Sequence, residues 1–197
     1  MRAQRLTIGG EHISALLVAD GHAGPEVAAV VVDQMLAAFV KNAMDDPSAL
    51  GLGMAAEKTF LQIHNKVRSP NAGVGHAGSA VTLVLINESR SEITSCSVGD
   101  SFAILFTPDP LDPKGDPVIT ELTTNPRLRD NPNERKRVVK EGGQLGYIQF
   151  NGAPAGPLRG YPGGVMCASA IGDREIFFIS AAVRATAPSP ASALQAA

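Results

Sequence analysis

A carboxylate, a glycine and an imidazole follow one another in the segment Ala19-Asp20-Gly21-His22-Ala23-Gly24. The segment comes at the end of an apolar run, Ile13–Ala19, that is typical of a strand. A strand that ends here would present the Asp20 carboxylate, the Gly21 carbonyl and the His22 imidazole to one small ligand. Asp-Gly is also ordinary turn chemistry, because glycine tolerates a positive φ and aspartate hydrogen-bonds its own backbone. The segment alone leaves both interpretations open.

A second carboxylate, Asp100, has a comparable position. It follows Gly99 directly after a predicted strand, Ser91–Val98. Magnesium and manganese ions prefer oxygen ligands, and a bridging carboxylate with backbone carbonyls and waters is an economical way to hold them. Asp20 and Asp100 are therefore candidate ligands of Mg²⁺ or Mn²⁺. A two-metal site normally needs more than two acids to balance its charge, and spacing alone does not identify the others.

Two helices and a strand hairpin are predicted to position these residues. Hydrophobic residues recur at helical spacing in Pro25–Asn42 and in Ser48–Val67. The continuous apolar run Ala80–Ile86 is typical of a strand buried on both faces. A turn leads to the return strand Ser91–Val98 and then to a third strand, Phe102–Phe106, which would complete a meander. Helices followed by consecutive antiparallel strands predict an α+β domain rather than a parallel sheet.

The second half of the chain shows a less regular pattern. A short strand is predicted at Val118–Leu122, and a helix from an N-cap at Asn131 to about Glu141. The stretch Asn151–Gly164 contains five glycines and three prolines, which predicts an irregular loop long enough to be a functional flap. A further strand is expected at Glu175–Val183.

The length of 197 residues fits one domain, which we place at residues 1–184. Residues 185–197 are dominated by Ala, Ser and Pro, a composition that predicts a disordered tail.

Composition argues against several classes of protein. A net charge of −2 does not favour a nucleic-acid binder, and the basic run Arg127–Arg137 is interrupted by acids as on a solvated helix face. Two cysteines, Cys96 and Cys167, are too few for a disulfide framework. Apolar runs fall well short of the roughly 20 residues that cross a bilayer, and no apolar signal segment opens the sequence. We expect a monomeric intracellular protein, cytoplasmic or nuclear.

Four segments match, in chain order, the motifs of one known family. The first is the D-G-H segment at residues 19–24, and the second pairs Gly78-Ser79-Ala80-Val81-Thr82 with Ser97-Val98-Gly99-Asp100-Ser101. The third runs from Leu122 to Gly143, and the fourth from Gly164 to Asp173. Together they resemble the metal-dependent serine/threonine phosphatases of the protein phosphatase 2C (PPM) type.

The resemblance implies an antiparallel β-sandwich flanked by helix pairs, with two Mg²⁺ or Mn²⁺ ions at one end. A water bridging the metals would attack phosphoserine or phosphothreonine of a phosphoprotein substrate in line, without a phosphoenzyme. Carried over by residue, Asp20 would bridge the metals and Gly21 would offer its carbonyl. His22 would be the general acid, a role that suits an imidazole. Asp100 would assist an additional, weaker metal.

The chain also departs from the family pattern. The family opens with a strand carrying a phosphate-binding arginine and a Glu-Asp pair, which has no counterpart in Met1–His12. The Asp-Gly and Asp-Asn motifs that supply two further ligands do not occur after Asp173, which we interpret as a capping residue of the flap. Ala168 and Ser169 stand where the family has Ser-Arg, and residues 125–126 are Asn-Pro instead of Asp-His.

These departures predict a family member that is incomplete at both ends and whose metal binding and hydrolysis are weak or absent. The alternative is a pseudophosphatase that binds protein partners through the retained scaffold.

Overall fold

Nine strands and three helices make up the part of the chain that the structure, a computed structural model, describes: residues 1–173 and 183–188. In chain order they are β1 (Arg2–Ile8), β2 (Glu11–His22), α1 (Glu26–Asn42), α2 (Ala49–Arg68), β3 (Gly78–Asn87), β4 (Glu92–Val98), β5 (Ile104–Thr107), β6 (Val118–Glu121), α3 (Pro132–Lys140), β7 (Gln144–Phe150), β8 (Ala153–Tyr161) and β9 (Val183–Pro188). None of the described helices is long and apolar enough to cross a membrane.

The main sheet has five antiparallel strands in the order β1-β2-β3-β4-β9. Alternate residues of β2 and β3 face one side of this sheet, and there they are buried against α1 and α2. The largest buried side chains of this core include Ile13, Leu17, Met35, Phe39 and Leu83. The predicted α+β class with antiparallel pairing is therefore confirmed. Of the predicted sandwich, the described residues contain this sheet with one helix pair, and two smaller sheets of two strands each.

Local end signals place the helices close to their predicted bounds. Pro25 precedes α1 directly, and the side chain of Ser48 accepts a hydrogen bond from the Gly51 amide at 3.0 Å at the start of α2. Asn131 caps α3 by accepting from the amides of Asn133 and Glu134. Side-chain caps satisfy amides that a helix start leaves without partners, so the predicted starts of α2 and α3 are confirmed, whereas α1 begins at Glu26, one residue after its predicted start.

The predicted meander of three strands is wrong. β5 pairs with β6 and forms a separate sheet, so it does not continue from β4. Gly99, directly after β4, has a φ of +79°, and a Cβ there would lie 2.5 Å from the Cβ of Ala80. This conformation, open to glycine and strained for other residues, turns the chain out of the main sheet and leaves Asp100 in the turn.

The predicted irregular flap at residues 151–164 is also wrong. Most of it is β8, which forms a hairpin with β7 around Asn151 and Gly152, both of positive φ. Asn-Gly is the preferred dipeptide of a two-residue hairpin turn, a signal that the count of glycines and prolines obscured. Pro154 and Pro157 are compatible with β8 because the sheet has only two strands, so one edge of β8 needs no amide donors.

The structure also revises both ends of the sheet. Residues 2–8 form β1, paired with β2 from Arg2↔Leu17 to Ile8↔Glu11, so an opening strand is present although it lacks the Glu-Asp pair. β9 (Val183–Pro188) crosses the predicted domain boundary after residue 184; the boundary and the disordered tail remain predictions. The strand expected at residues 175–183 lies almost wholly outside the described residues.

Candidate active site

A cavity of about 490 Å³ lies where β2 and β4 end and where the segment after β8 returns to the sheet. The structure places all four predicted site residues around it, together with a third carboxylate and an arginine. The polar lining residues of this cavity are Asp20, Gly21, His22, Asp100, Arg159, Ser169 and Asp173. We refer to it as the acidic cavity because three carboxylates line it.

β2 extends three residues beyond its predicted end and so delivers Asp20, Gly21 and His22 to the cavity from one strand. Asp20 is opposite Ala80 in β3, and His22 is opposite Gly78. The Ser79 hydroxyl donates a hydrogen bond to the Asp20 carbonyl at 3.1 Å. The ladder and this side-chain contact hold the strand end in place, while the Asp20 side chain itself stays exposed.

Asp100 forms an ion pair with Arg127. The Arg127 Nη2 donates to the Asp100 Oδ2 at 2.9 Å, and the hydrogen bond and charge of Asp100 raise the pKa of Arg127. Arg127 lies in the loop before α3 rather than on the predicted solvated helix face, and it meets the site through Asp100. A metal ion that takes Asp100 as a ligand competes with this guanidinium for the carboxylate.

Asp173 is the site residue that the sequence interpretation missed. Its Oδ1 lies 2.7 Å from the His22 Nε2, and its side chain is only 14% exposed. The interpretation as a capping residue of a flap is therefore wrong, because this carboxylate contacts the imidazole of the D-G-H motif. The two residues are separated by 151 positions, so no local spacing could pair them. The family motif ending at Asp173 was the only available signal.

Hydrogen bonds from the core fix the segment that carries Asp173. Ile171 and Ser79 exchange two backbone hydrogen bonds, of 2.8 and 2.9 Å, which attach the segment to β3. The Gly172 amide donates to the Nδ1 of the buried His64 at 3.1 Å. Burial lowers the pKa of His64 to about 4, with a further contribution from the Arg68 charge, so the ring is neutral and can accept.

Thiol chemistry is not supported at this site. Burial and the charge of Asp100 raise the pKa of Cys167, which also lines the cavity, to about 12. The thiol therefore stays protonated near neutral pH and is a poor nucleophile.

The donor atoms fit a hard divalent cation in chemical type, since they are carboxylate and carbonyl oxygens. They are not gathered into one coordination sphere. Within the described residues, no three side chains of His, Cys, Asp or Glu form a group that could hold a metal ion. Asp100 and Asp173 are instead engaged by Arg127 and His22. The residues could hold Mg²⁺ or Mn²⁺, but the ion must displace existing contacts.

Comparison with known proteins assigns the family. The family model described as "Protein phosphatase 2C" matches residues 4–190, so the chain belongs to the protein phosphatase 2C family. "Probable protein phosphatase 2C 5" of Arabidopsis thaliana is 33% identical over 80% of this chain and 35% of its own length. "Probable protein phosphatase 2C 33" of Oryza sativa subsp. japonica is 34% identical over 83% of this chain and 36% of its own length.

Solved structures support the same fold. A "serine-threonine phosphatase 2C from Toxoplasma gondii" has a TM-score of 0.70 at 17% identity, covering 89% of this chain and 64% of its own. A "C.elegans sex determining protein" has a TM-score of 0.72 at 23% identity, covering 95% of this chain and 44% of its own. The chain spans about a third of the length of the curated relatives it matches.

Proposed function

We propose that this chain carries the hydrolytic site of a metal-dependent protein serine/threonine phosphatase, acting on phosphoserine or phosphothreonine in other proteins. The observation that carries the proposal is the placement of Asp20, His22, Asp100 and Asp173 around one cavity. Membership of the protein phosphatase 2C family supports it.

Asp20 and the Gly21 carbonyl would hold Mg²⁺ or Mn²⁺, and the other two carboxylates of the acidic cavity add negative charge around the ion. Such an ion, when bound, supplies an activated water and stabilises the charge of the phosphoryl group. Asp20 suits this role because it is exposed and has no hydrogen-bonded side-chain partner among the described residues. The contacts of Asp100 and Asp173 compete with an ion, so we expect binding that is weaker than in a complete site.

His22 would donate a proton to the leaving serine or threonine oxygen. Its side chain is half exposed towards the cavity, and its Nε2 meets the Asp173 carboxylate at 2.7 Å. A carboxylate at this distance orients the ring. We therefore expect that Asp173 holds the imidazole ready to act as a general acid.

The test is hydrolysis of a phosphothreonine peptide by the 197-residue chain in millimolar Mn²⁺, with Asp20→Asn as the main variant. Asp116→Asn is the matched control, because it removes a carboxylate from an exposed loop. We expect slow, Mn²⁺-dependent hydrolysis that Asp20→Asn lowers by at least about tenfold and that the control leaves unchanged. Hydrolysis that survives both Asp20→Asn and chelation of the metal would contradict the proposal.

The second candidate is a pseudophosphatase that binds phosphorylated partners without turnover. The contacts of Asp100 with Arg127 and of Asp173 with His22 favour it, because they already engage two of the three carboxylates without a metal. Metal-independent binding of the phosphothreonine peptide, with no hydrolysis at any Mn²⁺ concentration, would select this candidate.

A further inference from the structure

Arg159 is the one arginine that lines the acidic cavity within the described residues. It lies in β8, opposite Gly146 of β7, and its side chain is half-buried. The guanidinium therefore belongs to the β7–β8 hairpin, where the sequence predicts an irregular loop. None of the family motifs found in the sequence includes it.

The guanidinium of Arg159 has few partners for a charged group. Its Nη1 donates to the Gly164 carbonyl at 2.5 Å, and its Nε is buried without a hydrogen-bond partner. No ion pair of Arg159 occurs in residues 1–173, whereas Arg127, Arg137 and Arg90 each pair with a carboxylate. A partly buried cation with an unsatisfied N–H gains free energy when an anion reaches it.

Backbone pairing fixes the position of this guanidinium. Gly160, next to Arg159, exchanges two hydrogen bonds with Val165, of 2.8 and 3.1 Å. The carbonyl that holds the Nη1 belongs to Gly164, the neighbour of Val165. The hairpin and the segment that returns to the sheet are thus joined next to the side chain, which restricts where the guanidinium can lie.

We propose that Arg159 binds the phosphoryl oxygens of a phosphate monoester in the acidic cavity. A guanidinium matches phosphate through two parallel N–H donors. The Gly164 carbonyl accepts only from the Nη1 of Arg159, and the Nε is unpaired but buried, so the side chain must shift towards the cavity to offer its Nε edge to a phosphate. Arg127 and His22 already contact two of the three carboxylates, and no carboxylate in residues 1–173 pairs with Arg159, so the charge of Arg159 is available to a phosphate dianion. This inference rests on the proposed function for the identity of the ligand, a phosphoserine or phosphothreonine side chain.

The strand that opens the sheet does not supply such a cation. Arg2 donates to the carbonyls of Val32 and Asp33 on α1, and Arg5 pairs with Glu88 beside the β3–β4 turn. Neither residue lines the acidic cavity. Arg159 therefore supplies, from the opposite end of the chain, the positive charge that β1 does not.

The test measures binding separately from hydrolysis. The Asp20→Asn chain serves as the parent because it retains Arg159 and is not expected to turn over its ligand. Binding of a fluorescent phosphothreonine peptide is measured by anisotropy in Mg²⁺, with the unphosphorylated peptide and inorganic phosphate as competitors. The variants are Arg159→Gln, Arg159→Lys and the control Arg5→Gln, which removes an exposed arginine far from the cavity.

We expect Arg159→Gln to raise the Kd by about 10- to 100-fold, as loss of a charge-assisted hydrogen-bonded pair does. Arg159→Lys should cause a smaller loss, because the charge stays but the paired donors do not. Arg5→Gln should leave the Kd unchanged, and inorganic phosphate should compete only where Arg159 is present. If Arg159→Gln unfolds the chain, the Kd of Arg159→Lys is compared with the Kd of its Asp20→Asn parent, and that ratio tests the proposal.

Binding that changes by less than twofold in both folded Arg159 variants would overturn the proposal, as would a parent that does not distinguish the phosphorylated peptide from the unphosphorylated one. The outcome is independent of turnover. Arg159-dependent binding, together with no Mn²⁺-dependent hydrolysis by the wild-type chain, would support the role of Arg159 and refute the hydrolytic function.

Discussion

His64 makes the stability of this protein depend on pH between about 4 and 6.5. The side chain is fully buried in α2, and its Nδ1 accepts the Gly172 amide at 3.1 Å. Burial is the largest cause of its low pKa of about 4, the Arg68 charge adds to the fall, and the Ala170 backbone partly offsets it. The Nε2 has no partner within hydrogen-bonding distance in the described part of the chain.

The sign of the effect follows from the two pKa values of His64. The unfolded chain binds a proton below about pH 6.5, whereas the folded protein binds it only below about pH 4. The contribution of His64 to stability is therefore complete above about pH 6.5 and is lost as the pH falls towards 4. Protonation of His64 lowers the free energy of unfolding by about 2 kcal/mol between pH 7 and pH 5. The loss reaches about 3 kcal/mol at pH 4.

Urea unfolding at pH 7 and pH 5 measures this loss. His64→Gln removes the titrating ring and retains a side-chain oxygen that can accept the Gly172 amide. We expect the wild-type chain to lose about 2 kcal/mol more than His64→Gln over this interval. His76→Gln is the control, because it removes an exposed histidine and should leave the pH dependence of the wild type intact.

Equal losses of unfolding free energy between pH 7 and pH 5 in the wild type and in His64→Gln would show that His64 does not cause the pH dependence. If His64→Gln is too unstable to compare, an NMR titration of the wild-type ring gives the same test. An imidazole that titrates near pH 6.5 in the folded protein would show that burial does not control it.

Two further predictions concern the sheet. Glu11 accepts hydrogen bonds from Arg90 and Asn87, which lower the pKa of its carboxyl to about 2. The stability that this supplies is present above about pH 4.5 and is lost as the pH falls towards 2, so acid unfolding should be steeper in the wild type than in Glu11→Gln. Gly99→Ala would set a Cβ 2.5 Å from that of Ala80 at a positive φ. We expect a loss of about 2 to 4 kcal/mol by urea unfolding, and a loss below about 0.5 kcal/mol would contradict the turn geometry.

Elements with local signals could be predicted from the sequence. The Ser48 and Asn131 caps mark the starts of α2 and α3, and the apolar run of β3 with its return strand defines a hairpin by itself. Such signals lie within a few residues of the structure that they specify. The two helices and the central hairpin were therefore predicted with bounds within about two residues.

The errors arose where pairing depends on distant residues. The choice of β6 as the partner of β5 depends on the turn at Gly99, and nothing within β5 itself opposes a place beside β4. β8 contains prolines that argue against a central strand, and they are tolerated because the sheet has two strands. Both cases require knowledge of the sheet edge, which is a tertiary property.

The site residues also divide into those with local signals and those placed by contacts with distant segments. Asp20, Gly21 and His22 are consecutive on β2, and Asp100 follows β4, which is separated from β2 only by β3, so the sequence could place them at one edge of the sheet. Asp173 and Arg159 reach the cavity only because distant segments dock there. Their roles as ligands, acid or phosphate contact remain predictions that the proposed experiments address.

The attachment of residue 171 to β3 has a consequence for ligand affinity. Two backbone hydrogen bonds to Ser79 and one from Gly172 to His64 hold the segment that carries Asp173. If this short segment opens while the main sheet stays folded, the protein alternates between a form with Asp173 at His22 and a form without it. The apparent affinity of any ligand that needs both residues is then its intrinsic affinity multiplied by the fraction of closed molecules. Hydrogen exchange at the Ile171 amide would report that fraction directly, and mutations in the helix-packed core of α2 could alter it without touching the cavity.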